Sequence, residues 1–223
     1  MIFSLQSIQQ RQQKLAQAWD ALLATSDCVL VCAGEPIPKP GGLDQTYPFL
    51  PHPSYYWLTG YRLPQGVAFY SRDTGWVLFV RPLSKAELVW EGVSEFEEQG
   101  VPLSQLPSFI QKHSFKKCIL LGQPSAVTSF LDTQRIASSK DTEILKIAMD
   151  RVRRKKDTEE VALVRDVAGI AALGFKKIKA SLQVGLTERE LQIDYEAEIF
   201  KQGAHGVPYT TLIGSGVNAS VLH

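Results

Sequence analysis

Apolar residues recur at helical spacing from about Ser7 to Leu23, where Ile8, Leu15, Ala18, Trp19 and Leu22 share one side of a 3.6-residue repeat. The pattern then switches to a continuous apolar run, CVLVCAG, which predicts a short buried strand ended by Gly34. The segment EPIPKPGGLDQTYPF is dense in proline and glycine and reads as a surface loop. Three runs rich in aromatic and β-branched residues follow, SYYWLTGY, GVAFYS and GWVLFV, and their Gly, Pro and Asp punctuation predicts strands joined by hairpins. On this reading Tyr55, Tyr56 and Trp57 alternate across a strand, packing a sheet against helices rather than forming a binding platform. SKAELVW and LSQLPSFIQKH have helical spacing, KKCILLG reads as another strand, and a mixed region extends to about Met149. Strands that are partly sequential and partly separated by helices predict an α/β domain with a mixed sheet.

The pattern changes at Arg151. The run RVRRKK reads as a solvated linker, screened by the DTEE that follows it. Asp157 and Glu160 are spaced as a capping box, and Val161, Val164, Ala168, Ala171, Phe175 and Ile178 then form one apolar stripe, predicting an amphipathic helix. Thr187 and Glu190 are a second capping box, with Leu186 and Leu191 placed as a hydrophobic staple, and Gly203 is a natural stop for that helix. PYTTLIGSG and NASVLH close the sequence as two strand-like runs around a Gly-Ser-Gly turn. The boundary divides the chain into residues 1–150 and 151–223.

Charge and composition narrow the function. With 24 Lys and Arg against 23 Asp and Glu, the chain has no positive field to draw in phosphate backbones or anionic lipid, which argues against nucleic-acid and membrane partners. No apolar run approaches the ~20 residues that span a bilayer, and MIFSLQSIQQRQQKLAQAW is not patterned as a secretory leader, so a cytoplasmic location is expected. Cys28, Cys32 and Cys118 are then expected as reduced thiols. Cys28 and Cys32 would lie ~13 Å apart on one face of a strand, too far for a disulfide or a shared metal, and read as core.

Few short motifs carry chemistry. Gly214, Gly216 and Ala219 satisfy G-x-G-x-x-A, but no helix opens there and no acidic residue follows ~20 positions on, so a hairpin turn is the better reading than a dinucleotide site. His52 and His113 read as surface or satisfied residues, and His205 sits in a loop, GAHGVP. Asn218-Ala-Ser220 fits a glycosylation acceptor but has no consequence without export.

Longer stretches carry a family resemblance. KKDTEEVALVRDVAGIAALGFKKI, GLTERELQIDYEAEIFKQGA and YTTLIGSGVNASVLH together resemble the opening of the catalytic domain of the pita-bread metallopeptidases, in the aminopeptidase P and prolidase group. YPFLPHPSYYWLTGYRLPQGVAFY and KAELVWEG resemble the accessory domain that precedes it in those enzymes. The resemblance implies a creatinase-like N-terminal domain with a mixed sheet, active in oligomerisation and in partly covering the active site, followed by an incomplete pita-bread α+β domain. It also implies release of the N-terminal residue from peptides with proline in second position, and two divalent metal ions, usually manganese, that activate a bridging water.

Within that resemblance His223 matches a histidine that contacts substrate and the tetrahedral intermediate without binding metal. Tyr209 matches an aromatic position that walls the pocket for the substrate's N-terminal residue, and simple strand packing explains it equally well. The family's metal ligands, two aspartates, one histidine and two glutamates, all lie downstream of the histidine matched by His223. This chain alone is therefore expected to hold no metal and to be inactive, with Glu196 and Glu198 on a solvated helix face. A proline dipeptidase is the close alternative, and a non-catalytic oligomerisation or interaction module is the alternative from another class.

Overall fold

The computed structural model describes residues 2–41, 44–91 and 100–221. The chain divides into two compact units, residues 1–155 and 156–223.

The first unit follows from where its apolar runs find partners. Its elements are α1 (Leu5–Asp20), β1 (Asp27–Cys32), α2 (Pro53–Thr59), β2 (Val67–Ser71), β3 (Gly75–Val80), α3 (Lys85–Glu91), β4 (Val101–Pro102), α4 (Leu106–Lys112), β5 (Lys117–Gly122), α5 (Ser125–Thr128) and α6 (Ser139–Arg154). The sheet order is β4-β3-β2-β1-β5, with β1, β2 and β3 antiparallel in turn and with parallel pairs at β1–β5 and β3–β4. The mixed sheet expected from the sequence is therefore present. All six residues of β1 are buried, because helices cover both faces. Val29 and Val31 point to a core shared with Leu15 and Trp19 of α1 and Leu145 and Met149 of α6, while Cys28, Leu30 and Cys32 point to a second core with Leu106 and Ile110 of α4. The period-2 alternation of one strand thus builds both cores.

Register also brings Cys28 of β1 opposite Cys118 of β5, with the two sulfurs 3.5 Å apart. All three cysteines are free thiols and buried. The adjacent Cys118 and burial both push the Cys28 thiol up, and burial alone raises Cys32 to about 12, so Cys28 and Cys32 are protonated core residues.

Two expectations are corrected in this unit. SYYWLTGY is not a strand but α2. Pro53 occupies the first turn, where its missing N–H costs nothing. The His52 ring nitrogen Nδ1 accepts from Ser54 N–H at 3.2 Å, and Gly60 closes the helix at φ +70°, donating to the Tyr56 carbonyl. Cap chemistry here overrides the β propensity of Tyr and Trp. The charged run is not a linker either: Arg151–Arg154 is the last turn of α6, where basic side chains face the negative end of the helix dipole. Arg153 donates from Nη1 to Ser54 Oγ at 3.0 Å and lies over the Trp57 ring.

The His52 cap gives a pH dependence. Burial first, and then the positive charge of Arg153, lower its pKa from 6.5. A folded pKa below the unfolded one means that the unfolded chain binds more protons, so the contribution is full above about 6.5 and is lost as pH falls from there through the lower folded value. Protonation also removes the Nδ1 acceptor. Unfolding midpoints measured from pH 7.5 to 5.5 are expected to fall in the native chain and to fall less in His52→Asn, whose cap accepts at either pH. A side-chain cap is typically worth about 1 kcal/mol, and equal slopes in the two proteins would contradict this assignment.

The second unit contains α7 (Thr158–Ser181) and α8 (Glu188–Lys201). Both predicted capping boxes form: Asp157 Oδ1 accepts from Glu160 N–H at 2.8 Å, Thr187 Oγ1 accepts from Glu190 N–H at 3.2 Å, and each glutamate reaches back to the N–H of its cap. Gly203 ends α8 at φ +96°. The predicted stripe on α7 is only partly covered, with Phe175 66% exposed and Val164 62% exposed.

The closing strands are a further correction. Residues 207–221 form no strand; a 3-10 turn occupies Gly216–Ser220. Their β-branched composition favours a pleated surface, but strand propensity is realised only against a paired neighbour.

Candidate functional site

The second unit carries a groove of about 260 Å³ lined by Phe175 and Ile178 of α7, Tyr195 and Ile199 of α8, and the segment Val207–Ile213. Its floor exists because two helices approach closely at one glycine. A Cβ on Gly174 would stand 2.6 Å from the Tyr195 ring and 2.7 Å from Ile199 Cγ2. Phe175 and Tyr195 then meet at a ring-centroid distance of 5.3 Å, and Lys177 pairs with Asp194 at 3.6 Å.

That contact makes a sharp pair of substitutions. Gly174→Val is expected to destabilise the second unit by about 1–3 kcal/mol through overpacking. A methyl group at Gly169, on the same helix, would meet nothing within 4 Å. Gly169→Ala is therefore expected to stabilise by up to about 1 kcal/mol. Denaturant titrations followed by circular dichroism read both; no loss of stability in Gly174→Val would contradict the close approach, and destabilisation by Gly169→Ala would contradict the open space there.

Tyr209 lines the groove and is 73% exposed. The strand that would explain it by sheet packing is absent. His223, the other candidate, lies outside the described residues. His205 is in an exposed loop after α8, and His113 stacks beside Phe109 and Phe115 in the first unit, so neither histidine joins the groove.

One carboxylate of α8 holds the Gly-Ser-Gly segment, a contact that no sequence motif announces. Glu188 Oε1 accepts from Ser215 N–H at 2.7 Å, and Asn218 Nδ2 donates to both carboxylate oxygens at 3.1 and 3.2 Å. The Ser215 N–H first, and the Asn218 amide after it, hold the Glu188 carboxyl below its ordinary range. Two turns on, Glu196 accepts from Gln192 Nε2 at 2.8 Å. Gln192 and then Thr211 hold its carboxyl low as well. Glu196 is thus engaged with its neighbours, not solely a solvated charge. Asn218, read from the sequence only as half of a glycosylation pattern, is a hydrogen-bond donor inside the unit. The signal for this cluster lies in the polar types at Glu188, Ser215 and Asn218, but their pairing spans 27 and 30 residues.

Among the described residues no three His, Cys, Asp or Glu side chains converge to hold a metal ion. The arrangement offers an apolar groove with a tyrosine at its wall and a pinned polar turn at its side.

Residues 8–120 match the model of the aminopeptidase P N-terminal domain, which is half of the chain. The chain belongs to the aminopeptidase P N-terminal domain family. Residues 162–223 match the model of metallopeptidase family M24, so the two matches follow one another in the order that the sequence motifs have. Among relatives, the chain is 30% identical over 190 residues to the Arabidopsis thaliana protein named intermediate cleaving peptidase 55, mitochondrial, covering 79% of this chain and 38% of that protein. It is 28% identical over 190 residues to a Tuber melanosporum protein named as a probable Xaa-Pro aminopeptidase, covering 81% of this chain and 40% of that one. Zinc-substituted E. coli aminopeptidase P, solved in complex with product, superposes with a TM-score of 0.72 at 18% identity over 99% of this chain and 55% of the other, a likeness of fold. The chain spans well under half the length of these two sequence relatives. No helix among the described residues is long and apolar enough to cross a membrane.

Proposed function

We propose that this chain is the N-terminal part of a metal-dependent Xaa-Pro aminopeptidase: an accessory domain over about residues 1–150 followed by the opening of the catalytic domain over 151–223. The observation that carries the reading is the groove walled by Tyr209, which runs directly into the turn that leads to His223. A half-open apolar groove suits the side chain of a substrate's first residue, with Tyr209 as its wall and His223 as the group that contacts the reacting carbonyl. The described residues do not themselves fit a metal pair, since Glu188 and Glu196 are both committed to hydrogen bonds within the unit. In this reading the two divalent ions, manganese as the expected pair, are supplied by ligands downstream of His223, and residues 1–223 alone are inactive. A homo-oligomer assembled through the first unit and a cytoplasmic location complete the proposal.

Substrate length tests it. The product of the complete reading frame that contains these residues, assayed with added manganese, is expected to cleave Xaa-Pro-Yaa tripeptides and longer chains in preference to Xaa-Pro dipeptides. Activity confined to dipeptides would assign the protein as a prolidase. No hydrolysis of either would favour a non-catalytic module.

A further inference from the structure

Glu188 and Glu190 stand in the same first turn of α8 and do different work. Glu190 turns back to its own helix, where Thr187 N–H and Thr187 Oγ1 both donate to its carboxylate at 2.8 Å. That completes the cap, so Glu188 is not needed for it. Its carboxylate reaches instead to a segment 27 residues on, where it accepts from Ser215 N–H and, at 3.4 Å, from Ser215 Oγ, and takes the Asn218 amide on both oxygens.

The turn it holds is short and tightly closed. Asn218 N–H donates to the Ser215 carbonyl at 3.0 Å, and Val221 N–H donates to the Asn218 carbonyl at 3.0 Å. Gly216 sits at φ +53°, and a Cβ on Gly214 would come within 2.9 Å of the Asn218 carbonyl oxygen. Both glycines are therefore required by backbone geometry. Such a turn fixes its own internal shape but not its placement, because it has no strand partner and its residues are exposed. Glu188 supplies the placement. The bond to a backbone N–H fixes one end of the turn, and the two-oxygen grip on Asn218 fixes the other, so the charged acceptor constrains both position and orientation.

We propose that Glu188 is a positioning residue: by clamping Ser215 and Asn218 to the first turn of α8, it sets the course of the chain as it leaves the turn at Val221. The proposal rests on the functional reading above, in which His223 contacts substrate, while the clamp itself can be tested without activity.

Amide hydrogen exchange by NMR on the 223-residue chain reads the clamp. Glu188→Ala is expected to speed exchange at Ser215 by about tenfold, in keeping with loss of one charge-assisted bond, while amides in the middle of α8 stay unchanged. Glu188→Gln keeps an oxygen for Ser215 N–H but turns an NH2 group toward Asn218, so it is expected to fall between native and alanine. Kinetics on the complete reading frame then read the consequence. Glu188→Ala is expected to lower kcat for an Xaa-Pro-Yaa peptide by ~10²-fold with KM changed little, and Glu188→Gln to recover part of that loss. Unchanged Ser215 exchange in Glu188→Ala would overturn the clamp. Faster exchange with kcat intact, or equal loosening across the whole of α8, would overturn the positioning role and leave the functional reading standing. An unsubstituted complete protein without Xaa-Pro activity would instead overturn the functional reading, and with it the role assigned to the clamp in catalysis.

Discussion

Trp19→Ala is expected to cost the first unit about 4 kcal/mol, within the ~3–5 kcal/mol range for removing a buried tryptophan. Trp19 is fully buried at the point where α1, α6 and the sheet meet. Its Nε1 donates to the Leu145 carbonyl of α6 at 3.0 Å, and its ring lies 5.7 Å from Trp76 and 6.0 Å from Tyr70. Truncation therefore opens a cavity and also removes the Nε1 donor that ties α1 to the Leu145 carbonyl of α6. A loss of this size is a large share of the ~5–15 kcal/mol that stabilises a typical domain. At roughly 2–4 °C per kcal/mol for a domain of this size it lowers the melting temperature by about 8–16 °C. Trp19→Phe keeps most of the volume and loses the N–H, so its cost is expected to be clearly smaller. Equal costs for the two changes, read by denaturant titration, would show that the hydrogen bond and not the packing dominates.

His223→Ala, made in the product of the complete reading frame, is expected to lower kcat by ~10²–10³-fold, the usual loss when a group that stabilises a developing oxyanion is removed. Bound metal is expected to stay at the level of the unsubstituted protein, because the proposed role is substrate contact and not ligation. The kinetic signature follows from that role: an interaction made only in the transition state lowers kcat and kcat/KM together. Metal analysis after dialysis, done beside the kinetics, separates the cases, and a parallel loss of metal and turnover would reassign His223 as a ligand.

How much of the molecule is legible in the sequence depends on the range of the interaction. The two capping boxes at Asp157 and Thr187 use groups three residues apart, and both form as read. The strands CVLVC, VAFYS, GWVLF and KCILL are legible as apolar runs because they are buried against partners on both faces or one. α2 reads as a strand because Tyr55, Tyr56 and Trp57 favour strands, whereas the deciding signals are Pro53 at the helix start and Gly60 at its end. The start of α6 carries a cap signal of the same local kind: Ser138 Oγ accepts from Asp141 N–H at 3.2 Å, ahead of the buried Leu145. The rest is not local. The juxtaposition of Cys28 with Cys118 depends on the parallel register of β1 and β5, 90 residues apart. The hold of Glu188 on Ser215 and Asn218 likewise depends on how a loop returns to α8, which no short-range pattern encodes. At the site, Tyr209 is singled out by resemblance, and its place in the groove comes from the packing of α7 and α8 around Gly174.

In the proposed reading these residues form the accessory domain and first catalytic segment of an Xaa-Pro aminopeptidase whose metal ligands lie beyond His223. The most direct test sets two proteins side by side, residues 1–223 and the product of the complete reading frame. Each is dialysed with manganese, analysed for bound metal and assayed on one Xaa-Pro-Yaa peptide with and without chelator. About two ions per chain and chelator-sensitive release of the N-terminal residue are expected from the longer protein, with neither in residues 1–223. Turnover and a bound metal pair in residues 1–223, or their absence from the longer protein, would contradict that reading.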